Sequence, residues 1–494
     1  MKALQKLAGQ TAIYGLPSII GRLLNYLLVP LHTSKFVLSE YGEITEMYAY
    51  VAFLVVLLTY GMETAYFRFQ SKDDQNHTTI FSTVLISLFG STTIFIFLAT
   101  YFSLDIAEFL KYPDNQEYVI WFAFIVGLDA ISSIAMARLR IENRAIRFAS
   151  VNMLSIFVNI GLNIFWIWYC IPRYEQGISN FFIDNFYSPD IGIGYVFIAN
   201  LFSSIIKFIL LSPQFARMKA TFDRTLIREM LIYGSPLLIS SIAIMVNENA
   251  DKILLKWLLL EDLGKYQATE IVGIYGGCYK LSIIISLFIQ AFRYAAEPFF
   301  FSEWKEKDAK ETYAKIMKYF IIVCTLIFLV VMLYIDIFKH FLDQKYWVGL
   351  HIVPILLFAN IFLGIFYNLS VWYKLSGKTK YGAYIASFGA LITLVLNFIL
   401  IPKIGYIGSA WATFICYLSM VIISYFLGQK YFKVNYPLKP IFLYISISIF
   451  FFFISNWLVA ELSTTMTYVV NTFILLVFLS IIVVLEKPKK ALIS

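Results

Sequence analysis

Apolar runs of roughly 20 residues recur along the whole chain, the length a helix needs to cross about 30 Å of hydrocarbon. In lipid every backbone amide must be bonded internally, so only helices and closed barrels can span. The short alternating segments of a barrel are absent. The runs therefore read as helices near 11–31, 43–66, 78–102, 117–137, 148–170, 191–212, 227–249, 271–294, 316–337, 350–373, 382–402, 406–428, 438–459 and 466–485. The expected fold is an all-α integral membrane protein with about 14 transmembrane helices.

Charge follows the same pattern. Only 14% of the 494 residues are charged, against about 25% in a soluble domain. The net charge of +8 lies in short loops between the apolar runs, which is a signature of orientation and not of nucleic-acid binding. With the N-terminus inside, the inner segments hold 27 Lys and Arg and the outer loops 9, while Arg22, Lys207 and Lys280 fall within helices. Both termini are thus expected in the cytoplasm. Lys2 and Lys6 precede the first run as in a signal peptide, but the run continues past Val29 with Arg22 inside it and no small-residue cleavage site. It reads as the first membrane helix. Cys170, Cys278, Cys324 and Cys416 stand singly in apolar segments, which suits small buried side chains and no metal or disulfide framework.

An internal repeat divides the chain. Tyr14-Gly15-Leu16-Pro17 opens the first segment and Tyr233-Gly234-Ser235-Pro236 the seventh; Tyr41-Gly42 is matched by Tyr275-Gly276, Leu162-Asn163 by Leu396-Asn397, and Ile193-Gly194 by Ile407-Gly408. Six spans per unit start both halves on the same side, the parallel-repeat plan of many transporters. The expected domains are an N-lobe at 1–215, a C-lobe at 216–430, and two further helices with the tail at 431–494.

Polar residues inside spans mark the candidate site. A cation at mid-bilayer costs at least about 2.5–3.5 kcal/mol, so it faces a cavity or a partner. Arg22 lies near the middle of the first segment with Asn25 one turn away on the same face. Lys280 lies inside the eighth segment and Arg293 near its inner end. These four are the candidate substrate-binding residues, with cations suited to phosphate or diphosphate. The seventh segment ends in a cluster of oxygen ligands, Asn247, Glu248 and Asp251, which suits Na⁺ or H⁺ coupling. Glu63 near Arg68, and Glu297 near Arg293, are candidates for gating ion pairs on the inner side. Asp129 has no evident partner and receives no role. The stretch 297–318 mixes aromatic and charged residues and is expected to lie as an amphipathic helix on the inner interface.

Enzyme classes fit poorly. The longest outer loop, about 172–190, is too short for a catalytic domain, and His32, His77, His340 and His351 show no catalytic pairing. No Gly-rich nucleotide loop is present, and no cofactor is expected.

Four stretches carry a resemblance: Gly61-Met62-Glu63-Thr64-Ala65-Tyr66-Phe67-Arg68-Phe69, Gln290-Ala291-Phe292-Arg293-Tyr294-Ala295-Ala296-Glu297-Pro298, Trp372-Tyr373-Lys374-Leu375-Ser376-Gly377-Lys378-Thr379 and Gly405-Tyr406-Ile407-Gly408-Ser409-Ala410-Trp411-Ala412-Thr413. With the order of helices over nearly the whole chain, the sequence resembles the polysaccharide or O-antigen flippase branch of the multidrug/oligosaccharidyl-lipid/polysaccharide exporter superfamily. The resemblance implies two six-helix lobes around a cationic cavity, alternating access, and a monomer in a bacterial cytoplasmic (inner) membrane. The implied cargo is a polyprenyl-diphosphate-linked oligosaccharide for lipopolysaccharide or capsule, and polysaccharide synthesis proteins are the implied partners beside membrane lipids. In related lipid II flippases arginines on helices 1 and 8 line the cavity and helices 13–14 form a lipid groove. Arg22 matches the first of these, and Lys280 puts a point charge where a bidentate arginine is expected. The alternative functions are a lipid II flippase for peptidoglycan and a cation-coupled multidrug exporter.

Overall fold

The computed structural model describes residues 19–70, 76–303 and 308–487, without the side chains of 295, 297, 298 and 301–303. Among them there is no strand. Helix α1 covers 19–26 and, after a turn at Leu27–Leu28, Val29–Lys35. The turn sits just before Pro30, whose missing N–H cannot continue the ladder. Helix α2 is Leu38–Thr59 and resumes as Met62–Gln70 beyond Tyr60 and Gly61, both at positive φ. Then follow α3 His77–Tyr101, α4 Gln116–Ile141, α5 Ala145–Asn163 and α6 Gly194–Leu210. α5 extends through a π-helical stretch, Ile164–Cys170, to Ile171–Glu175.

The run Arg224–Glu303 holds two helices that meet at Gly264, where φ is 77°; α7 is 224–263 and α8 is 265–303. The chain continues as α9 Ala309–Leu333, α10 Val353–Leu369, α11 Lys380–Ile404, α12 Tyr406–Tyr431, α13 Leu438–Val459 and α14 Thr464–Glu486. Among the described residues eleven helices are long and apolar enough to cross a membrane, with the α7–α8 run counted once. The 17-residue α6 is shorter and equally apolar.

Local chemistry explains several starts. The Asn76 side chain accepts from the N–H groups of Thr78 and Thr79 at the head of α3, and Asp223 does the same for Thr225 and Leu226 at the head of α7. The Glu40 carboxylate caps the Val37 N–H before α2. In the loop after α5, Asn180 caps a short helix, Phe181–Phe186, which is tied back by the Trp166 indole N–H on the Phe186 carbonyl.

Two expectations are corrected. Residues 250–270 read as a connection because charge interrupts the hydropathy, yet they are helix on both sides of Gly264, since Asp251, Lys252 and Lys256 are buried and paired. The described part of 297–318 is not a separate interfacial helix. It forms the end of α8 and the start of α9, joined where the Tyr313 hydroxyl donates to the Phe300 carbonyl. All four cysteines are free and buried.

By packing, the chain forms two compact units, one of Met1–Gly277 with Lys380–Ala412 and one of Cys278–Thr379 with Thr413–Ser494. In the first, one apolar core gathers Ile44, Phe122, Trp166, Ile167 and Phe197, and another gathers Met62, Tyr66, Phe81, Leu85 and Met230. In the second, α14 is fastened to α9 at both ends. The Asn471 amide donates to the Leu333 carbonyl at 2.6 Å, and Glu486 takes Lys318 at 2.5 Å and the Tyr444 hydroxyl at 2.8 Å.

Candidate functional site

In the first unit α1 and α5 touch at Gly21, where a Cβ would stand 2.4 Å from Ile156 Cδ1. That close approach lets short amides bridge the two helices. His32 Nε2 lies 2.8 Å from Asn163 Oδ1. The Asn163 Nδ2 donates to the Asn159 carbonyl at 2.8 Å and to Asn159 Oδ1 at 3.2 Å, and the Asn159 Nδ2 donates to Asn25 Oδ1 at 3.2 Å. His32 and Asn163 are buried, Asn159 is half-buried, and Asn25 and Arg22 are exposed. Arg22 makes no ion pair or hydrogen bond among the described residues. In the first apolar run of the sequence, an exposed guanidinium is stable beside water or an anion and not against hydrocarbon.

A second polar ladder joins α7, α11 and α12 in the same unit. The Ser409 hydroxyl donates to Asn397 Oδ1 at 2.8 Å, Asn397 Nδ2 to the Thr393 carbonyl at 2.7 Å, Thr393 Oγ1 to Asn247 Oδ1 at 3.3 Å, and Asn247 Nδ2 to the Ala386 carbonyl at 3.2 Å. Asn159 and Asn163 stand 234 positions before Thr393 and Asn397, the offset at which Leu162-Asn163 and Leu396-Asn397 repeat. Every side chain of this second ladder is buried. One turn further along α7, Asp251 is also buried. It accepts from the Tyr275 hydroxyl at 2.6 Å and from Lys252 Nζ at 3.0 Å. Lys252 Nζ donates to the Glu248 carbonyl as well, at 2.6 Å. The predicted trio is therefore divided: Asn247 serves the ladder, Asp251 an ion pair, and Glu248 supplies a carbonyl. Among the described residues no three His, Cys, Asp or Glu side chains could together hold a metal ion.

Helix α2 meets α7 and α8 near both its ends. Toward its N-terminal end the close approach is of backbones: a Cβ on Gly42 would lie 2.0 Å from the Thr269 carbonyl oxygen, and one on Gly273 2.0 Å from that of Leu38. One turn on, Glu46 and Lys256 form a fully buried ion pair at 2.8 Å, both 0% exposed. Glu46 also accepts from the hydroxyls of Tyr112 at 2.6 Å and Tyr50 at 3.1 Å. Lys256 also donates to the Leu110 carbonyl at 2.8 Å and stands 3.9 Å from the centre of the Tyr112 ring. Tyr112 lies in the loop before α4, and burial pushes its phenol well above the usual range. Toward the C-terminal end, a Cβ on Gly61 would sit 2.7 Å from the Gly234 carbonyl oxygen. There Arg68 stacks over Tyr233 at 4.3 Å, and Glu63 pairs with Arg140 of α4.

The remaining predicted residues belong to the second unit. Lys280 is half-buried on α8, and the Arg293 guanidinium lies 4.0 Å over the Tyr367 ring. The Glu297 side chain lies outside the described residues. The same unit has an apolar cleft of about 410 Å³ between α9, α10, α12 and α13, lined by Met317, Ile321, Phe362, Phe426, Ile441 and Phe442 among others.

Sequence reasoning passed over three groups: the Asn159–Asn163 ladder, the Glu46–Lys256 pair, and the bond between Asp129 and Lys207 at 3.1 Å, to which Ser204 adds a donor. The last had a signal, since two lone charges of opposite sign occur within the fourth and sixth segments.

Comparison with known proteins fits this architecture. The chain is similar in fold to a lipid II flippase, MurJ, in an inward closed conformation, with a TM-score of 0.72 and 15% identity over 95% of this chain and 98% of that one. A multidrug resistance transporter of the MATE family in an inward-facing conformation gives a TM-score of 0.59 and 14% identity over 87% and 94%. An uncharacterized membrane protein of Methanocaldococcus jannaschii is 24% identical over 458 residues, 86% of this chain and 84% of the relative. Residues 7–304, more than half of the chain, match the family model described as polysaccharide biosynthesis protein. With an all-helical, multi-pass transporter fold and that match, the chain belongs to the polysaccharide biosynthesis protein family.

Proposed function

We propose that the protein carries a polyprenyl-diphosphate-linked oligosaccharide across a bacterial cytoplasmic membrane for surface polysaccharide assembly. The carrying observation is Arg22 beside Asn25, exposed on α1 within the first apolar run of a chain from this family. A guanidinium binds phosphate with two parallel hydrogen bonds, which an ammonium cannot reproduce. The diphosphate would rest on this exposed face while the sugars stay hydrated, avoiding about 1–3 kcal/mol for each hydroxyl stripped of its partners.

Movement would follow the halves of the repeat, 1–215 and 216–430, opening alternately to either side. For coupling, Asp251 with its Tyr275 and Lys252 partners is the carboxylate proposed to respond to Na⁺ or H⁺. On the inner side, the Arg68–Tyr233 stack joins the two halves and is the contact placed to part during opening.

The test is leaflet exposure of a fluorescent polyprenyl-diphosphate sugar in vesicles holding the purified protein. Protein-dependent crossing, strongly reduced by Arg22→Ala, is expected. Normal crossing by Arg22→Ala would remove Arg22 from the mechanism. Uptake of cationic dyes with no crossing of any glycan lipid would favour drug export instead.

A further inference from the structure

The amide ladder of α1 and α5 has a direction. The Asn159 backbone carbonyl can only accept, so the Asn163 amide must present its Nδ2 there and its Oδ1 to His32. His32 Nε2 therefore carries a hydrogen. The same Nδ2 reaches Asn159 Oδ1, which leaves the Asn159 Nδ2 to face Asn25 Oδ1. The Asn25 oxygen is thus engaged from behind, and its Nδ2 donates to no protein group among the described residues. Each bond points the same way, from the buried histidine to the exposed face. Chains of this kind polarise one another, so the last donor is the strengthened one.

The second ladder is an internal control. It runs with the same polarity, Ser409 to Asn397 to Thr393 to Asn247, but its final Nδ2 is consumed by the Ala386 carbonyl and the whole of it is buried. One half of the repeat therefore ends its donor chain in the protein's own backbone. The other half ends it in the open, one helical turn from a guanidinium that makes no ion pair or hydrogen bond among the described residues.

We infer that Asn25 Nδ2 and Arg22 together form a donor-only subsite for a phosphoryl oxygen anion, and that Asn159 and Asn163 are positioning residues that hold the Asn25 amide with its N–H₂ outward. The inference rests on the proposed phosphate-bearing lipid and deepens it. An asparagine free to rotate would offer oxygen or nitrogen equally; the ladder removes the repelling orientation. Asn163→Asp keeps the acceptor for His32 and loses the donor, so Asn159 turns its Nδ2 to the new carboxylate and Asn25 turns its own Nδ2 inward. The exposed end then becomes an oxygen, two residues away from the substitution.

The experiment compares binding of polyprenyl diphosphate and uncharged polyprenol to the purified full chain in detergent, and reads the ratio of the two affinities. A fault in folding or in the lipid-tail site lowers both together and leaves the ratio unchanged. Asn25→Leu and Asn163→Asp are each expected to lower the ratio about tenfold or more, the range of one hydrogen bond to a charged group. Thr393→Val, in the capped ladder, is expected to leave it unchanged. If Arg22→Ala abolishes the preference for diphosphate while Asn25→Leu keeps it, the ladder has no part in the site and the inference falls alone. A ratio unmoved by Arg22→Ala overturns the proposed phosphate site itself. Should Asn163→Asp not fold, Asn25→Leu on the exposed face still decides the matter.

Discussion

Lys256→Met should be among the most damaging single substitutions in the chain, and a second substitution should repair it. In the wild type the Glu46 carboxylate has three donors, Lys256 and the hydroxyls of Tyr112 and Tyr50, and no exposure to solvent. Removing one member of such a pair leaves an uncompensated buried charge, at about 3–5 kcal/mol. The two phenols persist and share the remaining charge, so the lower part of that range, about 3 kcal/mol, is the expectation. Glu46→Gln with Lys256→Met removes attraction and desolvation together. Replacing a whole buried pair is often neutral, so the double variant should fall within about 1 kcal/mol of wild type. Unfolding in mixed SDS micelles, with all four corners of the double-mutant cycle, gives the coupling directly. A single variant losing less than about 1 kcal/mol, or a double variant no better than the single, would refute the reasoning.

Other consequences follow from the same helix and its neighbours. Gly42→Ala and Gly273→Ala each place a methyl 2.0 Å from a backbone oxygen, so α2 and α8 must separate. Each should cost more than the about 1–3 kcal/mol of ordinary overpacking, as read by SDS unfolding. A Cβ on Gly276 lies 3.2 Å from the Thr45 Cβ, just short of the disulfide range. Thr45→Cys with Gly276→Cys should therefore cross-link under oxidant and stop transport until reduced; full transport by the cross-linked protein would show that α2 and α8 do not part there. Asp129→Asn should destabilise by roughly 1 kcal/mol, since the pair with Lys207 is a quarter exposed, and Lys207→Met should add little to it in the double variant. Glu486→Gln should loosen the end of α14, detected as faster proteolysis after residue 459, because Lys318 and Tyr444 both bind that carboxylate.

How much of this was legible in the sequence depended on the range of the interactions. Hydropathy located most of the described helices, since the need to satisfy every backbone group in lipid leaves little choice of form. Arg22 and Asn25 were visible for the same reason: a lone polar face in an apolar run has few explanations. Their partners were not. Asn159 binds Asn25 across 134 positions and Lys256 binds Glu46 across 210. A pairing that distant is fixed by which helices pack, and no local pattern encodes it. The reading of 250–270 as a loop failed on the same point, because charge breaks a hydropathy window whether or not it is later paired. The repeat supplied the missing long-range information in one place, where Asn163 and Asn397 recur at equal offset and both anchor a ladder.

The expected repeat offers a physical account of why, among the described residues, one ladder ends exposed and its counterpart ends buried. A buried asparagine chain is stable only if every donor finds an acceptor, since one unmet group costs about 1–3 kcal/mol. The second half meets that condition with the Ala386 carbonyl, and its ladder becomes a strut holding α7 to α11 and α12. The first half has no such cap for Asn25 among the described residues, so its ladder is stable only where the last amide meets water or an anion. The guanidinium of Arg22 is subject to the same condition and stands on the same face. Two groups that are each unstable in lipid and each donate but do not accept at their open ends have a common solution in a hydrated cavity that receives negative oxygens. On the proposed reading, the asymmetry between the ladders is the feature of this fold that most narrowly specifies the charge of its cargo.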